Sequence, residues 1–179
     1  MKKPYGLLSF LCLILAGCAT VSLAQFKTVY IGVNGLTCSQ STRRVELGIR
    51  KLNFVEDVTM NLANTEGTIK LKKDARADIE KIAQAVISVG FTLRYLDADL
   101  LNVGLEAEMM DKNCFILYED AYAFTETPKE PLKRIVKLKF IGYKYMPKKE
   151  FSKVALNEDV NCKHRGGKIY YVQLKSVSP

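Results

Sequence analysis

The stretch VNGLTCSQS, residues 33–41, decides the fold of this sequence because it joins a strand pattern to a helix pattern. The segment Lys27–Val33 before it alternates in apolar character, as a half-buried strand does. The segment Ser41–Leu52 after it repeats apolar residues at helical spacing. A second cysteine three positions after Cys38 would complete a loop with two thiolates, but the sequence has Ser41 there.

Periodicity predicts six elements up to residue 96. In chain order they are a strand, a helix, two strands, a helix and a strand: Lys27–Val33, Ser41–Leu52, Val55–Leu62, Thr68–Leu71, Asp74–Val89 and Phe91–Tyr95. Asp74 is the candidate cap of the second helix, and Gly90 ends it. The order β-α-β-β-α-β predicts an α+β fold, the ferredoxin-like sandwich, with two helices on one face of an antiparallel sheet. We expect eleven apolar residues to form most of its core: Val29, Ile31, Val33, Val45, Ile49, Leu52, Val58, Met60, Ile82, Val86 and Phe91.

The remaining third of the sequence has a different character. Residues 97–111 show no firm period and are predicted to form a connector. Across 112–179, aromatic and β-branched residues form four short runs, with one short helix near 147–154. This pattern predicts a small, mostly β domain, and an OB-like barrel is one candidate architecture for it. The predicted organisation is therefore a ferredoxin-like domain at 27–96, a connector and a β-rich domain.

The N-terminal residues 1–24 have the pattern of a signal peptide. Two lysines precede the apolar run Leu7–Ala16, which is too short to span a membrane. Two processing sites remain open: a lipoprotein box in which Cys18 is lipidated, and a small-residue cleavage site before Gln25. We favour the second. Both predict a protein exported to the periplasm or cell envelope, which touches the membrane only through a lipid on Cys18.

Composition and charge argue against several functions. The net charge of +8 over 179 residues is dispersed, and no dense Lys/Arg block with interleaved aromatics occurs. We therefore predict no nucleic acid partner. The sequence has one histidine, no Gly-rich phosphate loop and no carboxylate pair with a partner acid. We predict a binding protein with no catalytic residues, and not an enzyme.

The first domain resembles the heavy-metal-associated family, which includes copper chaperones, the N-terminal modules of copper-pumping ATPases and the exported mercury-binding protein. Gly35–Cys38 stands where the family has Gly-Met-Thr-Cys. The apolar pattern of Val45–Leu52 is similar to the family's first helix. Val55–Val58 and Met60–Leu62 are similar to its second strand, and Gly90–Phe91 stands where it has Gly-Tyr or Gly-Phe.

The resemblance implies that the loop binds a soft metal ion, Cu(I) first or another soft ion. Family members use two loop thiolates, which suit Cu(I) or Hg(II). Cys38 lies near the positive end of the first helix, which favours its thiolate. Ser41 is a hard, neutral donor and cannot replace the missing sulfur. The sequence therefore keeps half of the family's ligand set.

Three hypotheses follow. In the first, Cys38 keeps its metal role and a second molecule, an envelope client protein or the C-terminal region completes the site. Within this chain, Cys162 and His164 are the first candidates for the additional metal ligand. Cys114 and Met109–Met110 are further soft donors. In the second, the domain has lost the metal and remains a protein-interaction module. In the third, Cys38 is an exchange thiol that forms mixed disulfides.

Cys114 and Cys162 flank the predicted β domain. In an exported protein we expect a structural disulfide between them in preference to a metal pair. Closing a loop of that span stabilises a fold by about 4 kcal/mol in the chain-entropy model. His164 precedes Arg165 and two glycines, so an exposed turn is the simplest interpretation of its place.

Overall fold

The computed structural model of the protein describes residues 25–73, 75–101, 113–128, 132–154, 156, 162 and 166–175. These residues form eight strands and three helices. The strands are β1 (Gln25–Asn34), β2 (Val55–Asn61), β3 (Glu66–Leu71), β4 (Thr92–Leu101), β5 (Cys114–Leu117), β6 (Asp120–Phe124), β7 (Ile135–Ile141) and β8 (Ile169–Leu174). The helices are α1 (Ser39–Arg50), α2 (Ile79–Ser88) and α3 (Lys148–Phe151).

The first six elements form the predicted ferredoxin-like unit. β1 lies between β3 and β4 and pairs antiparallel with both, so that Ile31 is opposite Gly67 on one side and Leu96 on the other. β2 pairs antiparallel with β3 at the edge. The order β-α-β-β-α-β is confirmed. Two β1 register shifts against β4 accompany the pairing, one of them beside Gly32.

The core of this unit is the apolar layer that the sequence predicts. Eight of the eleven expected core residues are buried: Val29, Ile31, Val33, Val45, Ile49, Val58, Ile82 and Val86. The other three, Leu52, Met60 and Phe91, are partly buried and pack against the same cluster. Strand residues of period two therefore meet helix residues of period near 3.6 on one face of the sheet.

The C-terminal strands continue the same sheet. The strand order is β2-β3-β1-β4-β7-β8-β6-β5, with β7 antiparallel to β4 and β6 parallel to β8. The sheet is not closed, so the barrel expected as one candidate for 112–179 is wrong. It curls instead: the ring of Phe26 on β1 lies 5.5 Å from the ring of Tyr122 on β6, although three strands separate them in the order.

Among the first six elements, two boundaries differ from the sequence prediction by more than two residues. Helix α2 begins at Ile79, and its N-cap is Asp78, whose side chain accepts a hydrogen bond from the backbone N–H of Lys81. The predicted cap, Asp74, lies outside the described residues. Strand β4 runs to Leu101 because β7 pairs with it as far as that residue, so the first part of the predicted connector is strand. The rest of the connector and the division into two domains remain predictions.

Ion pairs join the start of α2 to the C-terminal strands. We call this region the junction; its members are Arg76, Asp78, Glu80, Glu119, Asp120, Lys144 and Lys168. Lys168 Nζ lies 2.8 Å from Glu80 Oε2 and 3.2 Å from Asp78 Oδ2. Lys144 pairs with the other oxygen of Glu80. In the described part of the chain, no helix is long and apolar enough to cross a bilayer.

Candidate functional site

Cys38 is the residue on which the candidate site rests. It is the N-cap of α1, with an extended backbone (φ −151°, ψ 166°). Its side chain is exposed, and among the described residues it is the free cysteine. The loop that presents it turns at Gly35, whose φ of +86° is in the left-handed region that favours glycine. The structure thus places Cys38 outside the core, at the mouth between β1 and α1.

Ser41 fills a structural role beside Cys38. Its Oγ donates to the carbonyl oxygen of Cys38 at 2.8 Å, and the backbone N–H of Cys38 points at the same Oγ from 3.4 Å. These contacts, with the Cys38 side chain facing the Ser41 N–H, make a capping box that satisfies backbone groups at the start of α1. The hydroxyl of Thr42 adds a second bond to the Cys38 carbonyl at 3.1 Å.

The same contacts favour the thiolate form of Cys38. The pKa of its thiol is lowered from its ordinary value, first by the backbone N–H of Ser41 and then by the Ser41 hydroxyl, while slight desolvation acts in the opposite direction. Exposed N–H groups at a helix N-terminus stabilise negative charge. Because the thiolate is both the metal ligand and the nucleophile, this geometry prepares Cys38 for either chemistry.

The donor set at the loop is incomplete for a soft metal ion. The Sγ of Cys38 is a suitable ligand for Cu(I), and Ser41 Oγ, 3.6 Å away, is the hard oxygen that stands in the position of the second sulfur. Throughout the described residues, no group of three or more His, Cys, Asp or Glu side chains is arranged to hold a metal ion. The loop therefore offers one thiolate to a soft metal ion, and any further ligand has to come from outside the loop.

The other predicted ligands are not brought to Cys38 in the described part of the chain. Cys114 and Cys162 are bonded to each other as a disulfide, with Cα atoms 6.2 Å apart, and both are buried against Ala121 and Ala123. A sulfur in a disulfide is not a thiolate ligand. The remaining candidate ligands, Met109, Met110 and His164, lie outside the described residues, and so does the lipidation candidate Cys18.

A basic face on α1 was not predicted from the sequence. The helix carries three basic residues, Arg43, Arg44 and Arg50, followed by Lys51 at its C-cap, and one acid, Glu46, which binds both Arg43 and Arg50. Arg44 and Lys51 are exposed and form no ion pair with any described residue. Leu47 lies among them with 43% of its surface exposed. The sequence signal was the pair of arginines and a leucine at helical spacing beyond the buried stripe, beginning at Arg43, five residues after Cys38.

A cavity lies at the junction, at the start of α2. It has a volume of about 460 Å³ and is lined by Glu80, Lys144 and Lys168 together with Tyr143, Tyr145 and Phe151. Its charged groups bind one another, and Lys144 and Lys168 hold the pKa of Glu80 at about 2. The acid and the two lysines that line this cavity are therefore already paired with one another.

Comparison with known protein families agrees with this fold and site. Residues 31–92 match the model of the heavy-metal-associated domain. These residues are a heavy-metal-associated domain, so the resemblance expected from the sequence is confirmed. The domain accounts for about a third of the chain, and metal binding or transfer is the class of function that it supports.

The similar proteins reported next each cover less than half of this chain. Copper-transporting ATPase 1 of Rhizobium meliloti (strain 1021) is 32% identical over 81 residues, which are 45% of this chain and 9% of that protein. Similar solved structures include the CopZ metallochaperone (18% identical, 37% of this chain and 97% of that one, TM-score 0.35). Another is oxidized MerP from Ralstonia metallidurans CH34 (23% identical, 40% and 97%, TM-score 0.33). The domain assignment rests on the family model.

Proposed function

We propose that this protein binds a soft metal ion, Cu(I) first, through Cys38 and hands it on, with a donor from outside the loop completing the coordination. One observation carries the proposal: an exposed cysteine with a lowered pKa stands at the metal loop of a heavy-metal-associated domain. Copper is the first choice because the similar ATPase is named for copper transport. No step of this function requires catalysis, so we propose a binding protein.

A single thiolate suits transfer better than storage. Cu(I) held by one sulfur retains open positions, which an incoming thiolate can occupy before the first one leaves. Ser41 competes poorly for these positions, because its hydroxyl oxygen is a hard donor that suits Cu(I) badly. The exposure of Cys38 supports this part of the proposal, because ligand exchange needs an accessible ligand and an open position on the metal.

A Cu(I) titration under anaerobic, reducing conditions tests the proposal. Competition with a Cu(I) chelator should show about one Cu(I) per chain, and Cys38→Ala should abolish it because the thiolate is the soft ligand. Ser41→Cys should strengthen binding by at least about a hundredfold, since even groups in the outer shell change metal affinity 10–100-fold. The matched control is Ser39→Cys, which adds a thiol to the same helix turn at another position.

The outcomes separate the hypotheses. Binding that survives Cys38→Ala would show that the loop is not the site. If wild type binds no Cu(I) but Ser41→Cys does, the loop geometry is the family's and the chain has given up the metal. No gain in Ser41→Cys over Ser39→Cys would mean that the loop shares the family's fold but not its coordination geometry.

The second candidate function is a metal-free protein-interaction module of the cell envelope. The observation that favours it is the capping box, which gives Ser41 a structural reason to be a serine. The third, an exchange thiol, draws on the same lowered pKa of Cys38. A pulse of a mixed disulfide reagent, followed by the mass of the adduct at Cys38, tests the third independently of any metal.

We also propose that the protein acts in the periplasm or cell envelope. The support is the signal pattern of residues 1–24 and the preference for a disulfide between Cys114 and Cys162. The intact mass of the exported protein distinguishes cleavage before Gln25 from lipidation at Cys18. A mass that retains the apolar run would contradict export by either route.

A further inference from the structure

The cavity at the junction is formed almost entirely by residues that follow the heavy-metal-associated domain. Of the twelve described residues that line it, eleven lie between Ile141 and Tyr171, and the twelfth is Glu80 on α2. The domain itself ends at residue 92, so an isolated copy of it would not contain this cavity. The C-terminal strands create the cavity by packing against the start of α2, and metal binding at Cys38 gives no reason for it.

The inner wall of the cavity is aromatic and is held in place by the core. Tyr170 is stacked on Tyr122 with ring centroids 5.2 Å apart, and Tyr145 meets the edge of Phe140 at 5.6 Å. Tyr145 and Tyr170 are both buried, whereas Tyr143, which lines the same cavity, is 63% exposed. The wall is therefore preformed, as small-molecule sites usually are, and an exposed aromatic ring lies beside it.

The charged groups of the cavity favour an anion over a cation. Its lining contains two lysines, Lys144 and Lys168, and one acid, Glu80. Each lysine binds a different oxygen of Glu80, and Asp78 contacts Lys168 from outside the lining. An ammonium group has three N–H donors, so Lys144 keeps at least one beyond its contacts with Glu80 and the Tyr143 ring. A cation would meet a carboxylate that is already neutralised, whereas an anion would meet two ammonium groups.

We propose that this cavity binds a small aromatic carboxylate, whose ring packs on the tyrosine wall and whose carboxylate accepts hydrogen bonds from Lys144 and Lys168. Aromatic rings pack favourably on one another in offset and edge-on arrangements. Hydrogen bonds from an ammonium group to a carboxylate are of the stronger, charge-assisted kind. The volume of about 460 Å³ is in the range of small-molecule sites. This site is separate from Cys38 and does not depend on a metal ion.

The probe is naphthalene-2-carboxylate, and naphthalene-2-carboxamide is its neutral analogue of nearly the same shape. Each is titrated into ¹⁵N-labelled protein without reductant, and the amide shifts report both the dissociation constant and the place of binding. We expect the carboxylate to bind with a dissociation constant of about 1 mM or lower, and about tenfold more tightly than the carboxamide, because it alone accepts hydrogen bonds as an anion. The shifts should be concentrated at residues 141–145 and 168–171, which line the cavity.

Two charge variants should move the affinity for the carboxylate in opposite directions. Lys144→Gln removes an ammonium donor and should weaken binding about tenfold. Glu80→Gln removes the carboxylate that competes for both lysines and should strengthen binding several-fold. The affinity for the carboxamide should change little in either variant. Lys148→Gln, at an exposed position on α3 outside the cavity lining, is the matched control and should leave both affinities unchanged.

An aromatic variant tests the other half of the recognition. Tyr143→Ala removes the exposed ring and should weaken the carboxylate and the carboxamide alike, by about fivefold, since both carry the same naphthalene body. Its matched control is Tyr118→Ala, at an exposed tyrosine that is not among the lining residues. The same spectra report whether each variant is folded, and Lys168→Gln replaces Lys144→Gln as the test of the ammonium donors if the latter disturbs its turn.

Several results would overturn the proposal. If the carboxamide binds as tightly as the carboxylate, the lysines do not recognise the anion. The same conclusion follows if Lys148→Gln weakens binding as much as Lys144→Gln, or if Glu80→Gln weakens it. Amide shifts away from the cavity, or no saturable shift up to about 10 mM probe, would remove the site itself, since weaker binding is not that of a preformed pocket.

Discussion

The surroundings of helix α2 differ between its two ends, with ion-paired side chains at its start and an exposed cysteine loop near its end. At its start, Glu80 is bound by Lys144 and Lys168, and the C-terminal strands pack against it. Near its other end, Phe91 lies against Gly35 in the loop that presents Cys38, an exposed cysteine outside any disulfide among the described residues. The junction end pairs its charges within the chain, whereas the Cys38 end presents an exposed thiol that forms no disulfide in the described part of the chain. The difference separates charged groups that hold the C-terminal strands to α2 from a thiol that is open to solvent.

The interior of α2 should show the largest effect on stability. Ile82 is fully buried beneath the helix, and Ile82→Ala should lower the free energy of unfolding by about 2–5 kcal/mol because it leaves a cavity. Cys38→Ala should lower it by less, at most about 1 kcal/mol, because it removes only the weak side-chain cap of α1 at an exposed position. Urea denaturation of both variants makes the measurement. Equal losses would contradict the division between a packed frame and an uncommitted loop.

Most of this frame could be predicted from the sequence because its signals are local. Alternation in β1 and the stripe of Val45 and Ile49 in α1 each specify a face before any partner is known. The pairing of β7 with β4, and of β6 parallel to β8, depends on residues far apart in the chain. Periodicity marks such strands without saying which neighbour they choose, and this is why one continuous sheet was missed.

The candidate site could likewise be predicted only in part, where its features are local in sequence. The place of Cys38 follows from a strand, a short loop and a helix that are adjacent in sequence. The capping box of Ser41 is also local in sequence. It was not predicted, because comparison with a two-cysteine loop identifies Ser41 only as the replacement of a metal ligand and not as a partner of the Cys38 backbone. The junction could not be predicted, because Glu80 and Lys168 are brought together only by the curl of the sheet.

The three cysteines of the predicted mature chain should differ in reactivity. We expect Cys114 and Cys162 to form a disulfide in the mature protein, while Cys38 reacts freely with an alkylating reagent. The bond closes a sequence separation of 48 residues, and its reduction should cost about 4 kcal/mol in the chain-entropy model. Peptide mapping without reductant identifies the pairing. Alkylation of all three cysteines in the unreduced protein would exclude the bond and return Cys162 to the candidate metal ligands.

The junction should show the smallest effect, and one that depends on pH. The two lysines hold the pKa of Glu80 at about 2, below its ordinary value of 4.5. A carboxyl group with a depressed pKa in the folded state adds stability above the unfolded value and loses it as the pH falls toward the folded one. Glu80→Gln should therefore lower the free energy of unfolding near neutral pH by at most about 1 kcal/mol, since exposed partners are screened by water.

The pH profile of that variant gives the stricter test of the junction. Between pH 4.5 and about 2 the wild type should lose its advantage over Glu80→Gln, and the two denaturation midpoints should converge, because protonated Glu80 no longer attracts the lysines. Glu56→Gln, at an exposed position on β2, is the matched control and should run parallel to wild type. A difference between wild type and Glu80→Gln that persists at pH 2 would mean that Glu80 acts there through packing. The junction would then be held by its aromatic and apolar contacts, and the contrast with the Cys38 end would be one of burial and not of charge.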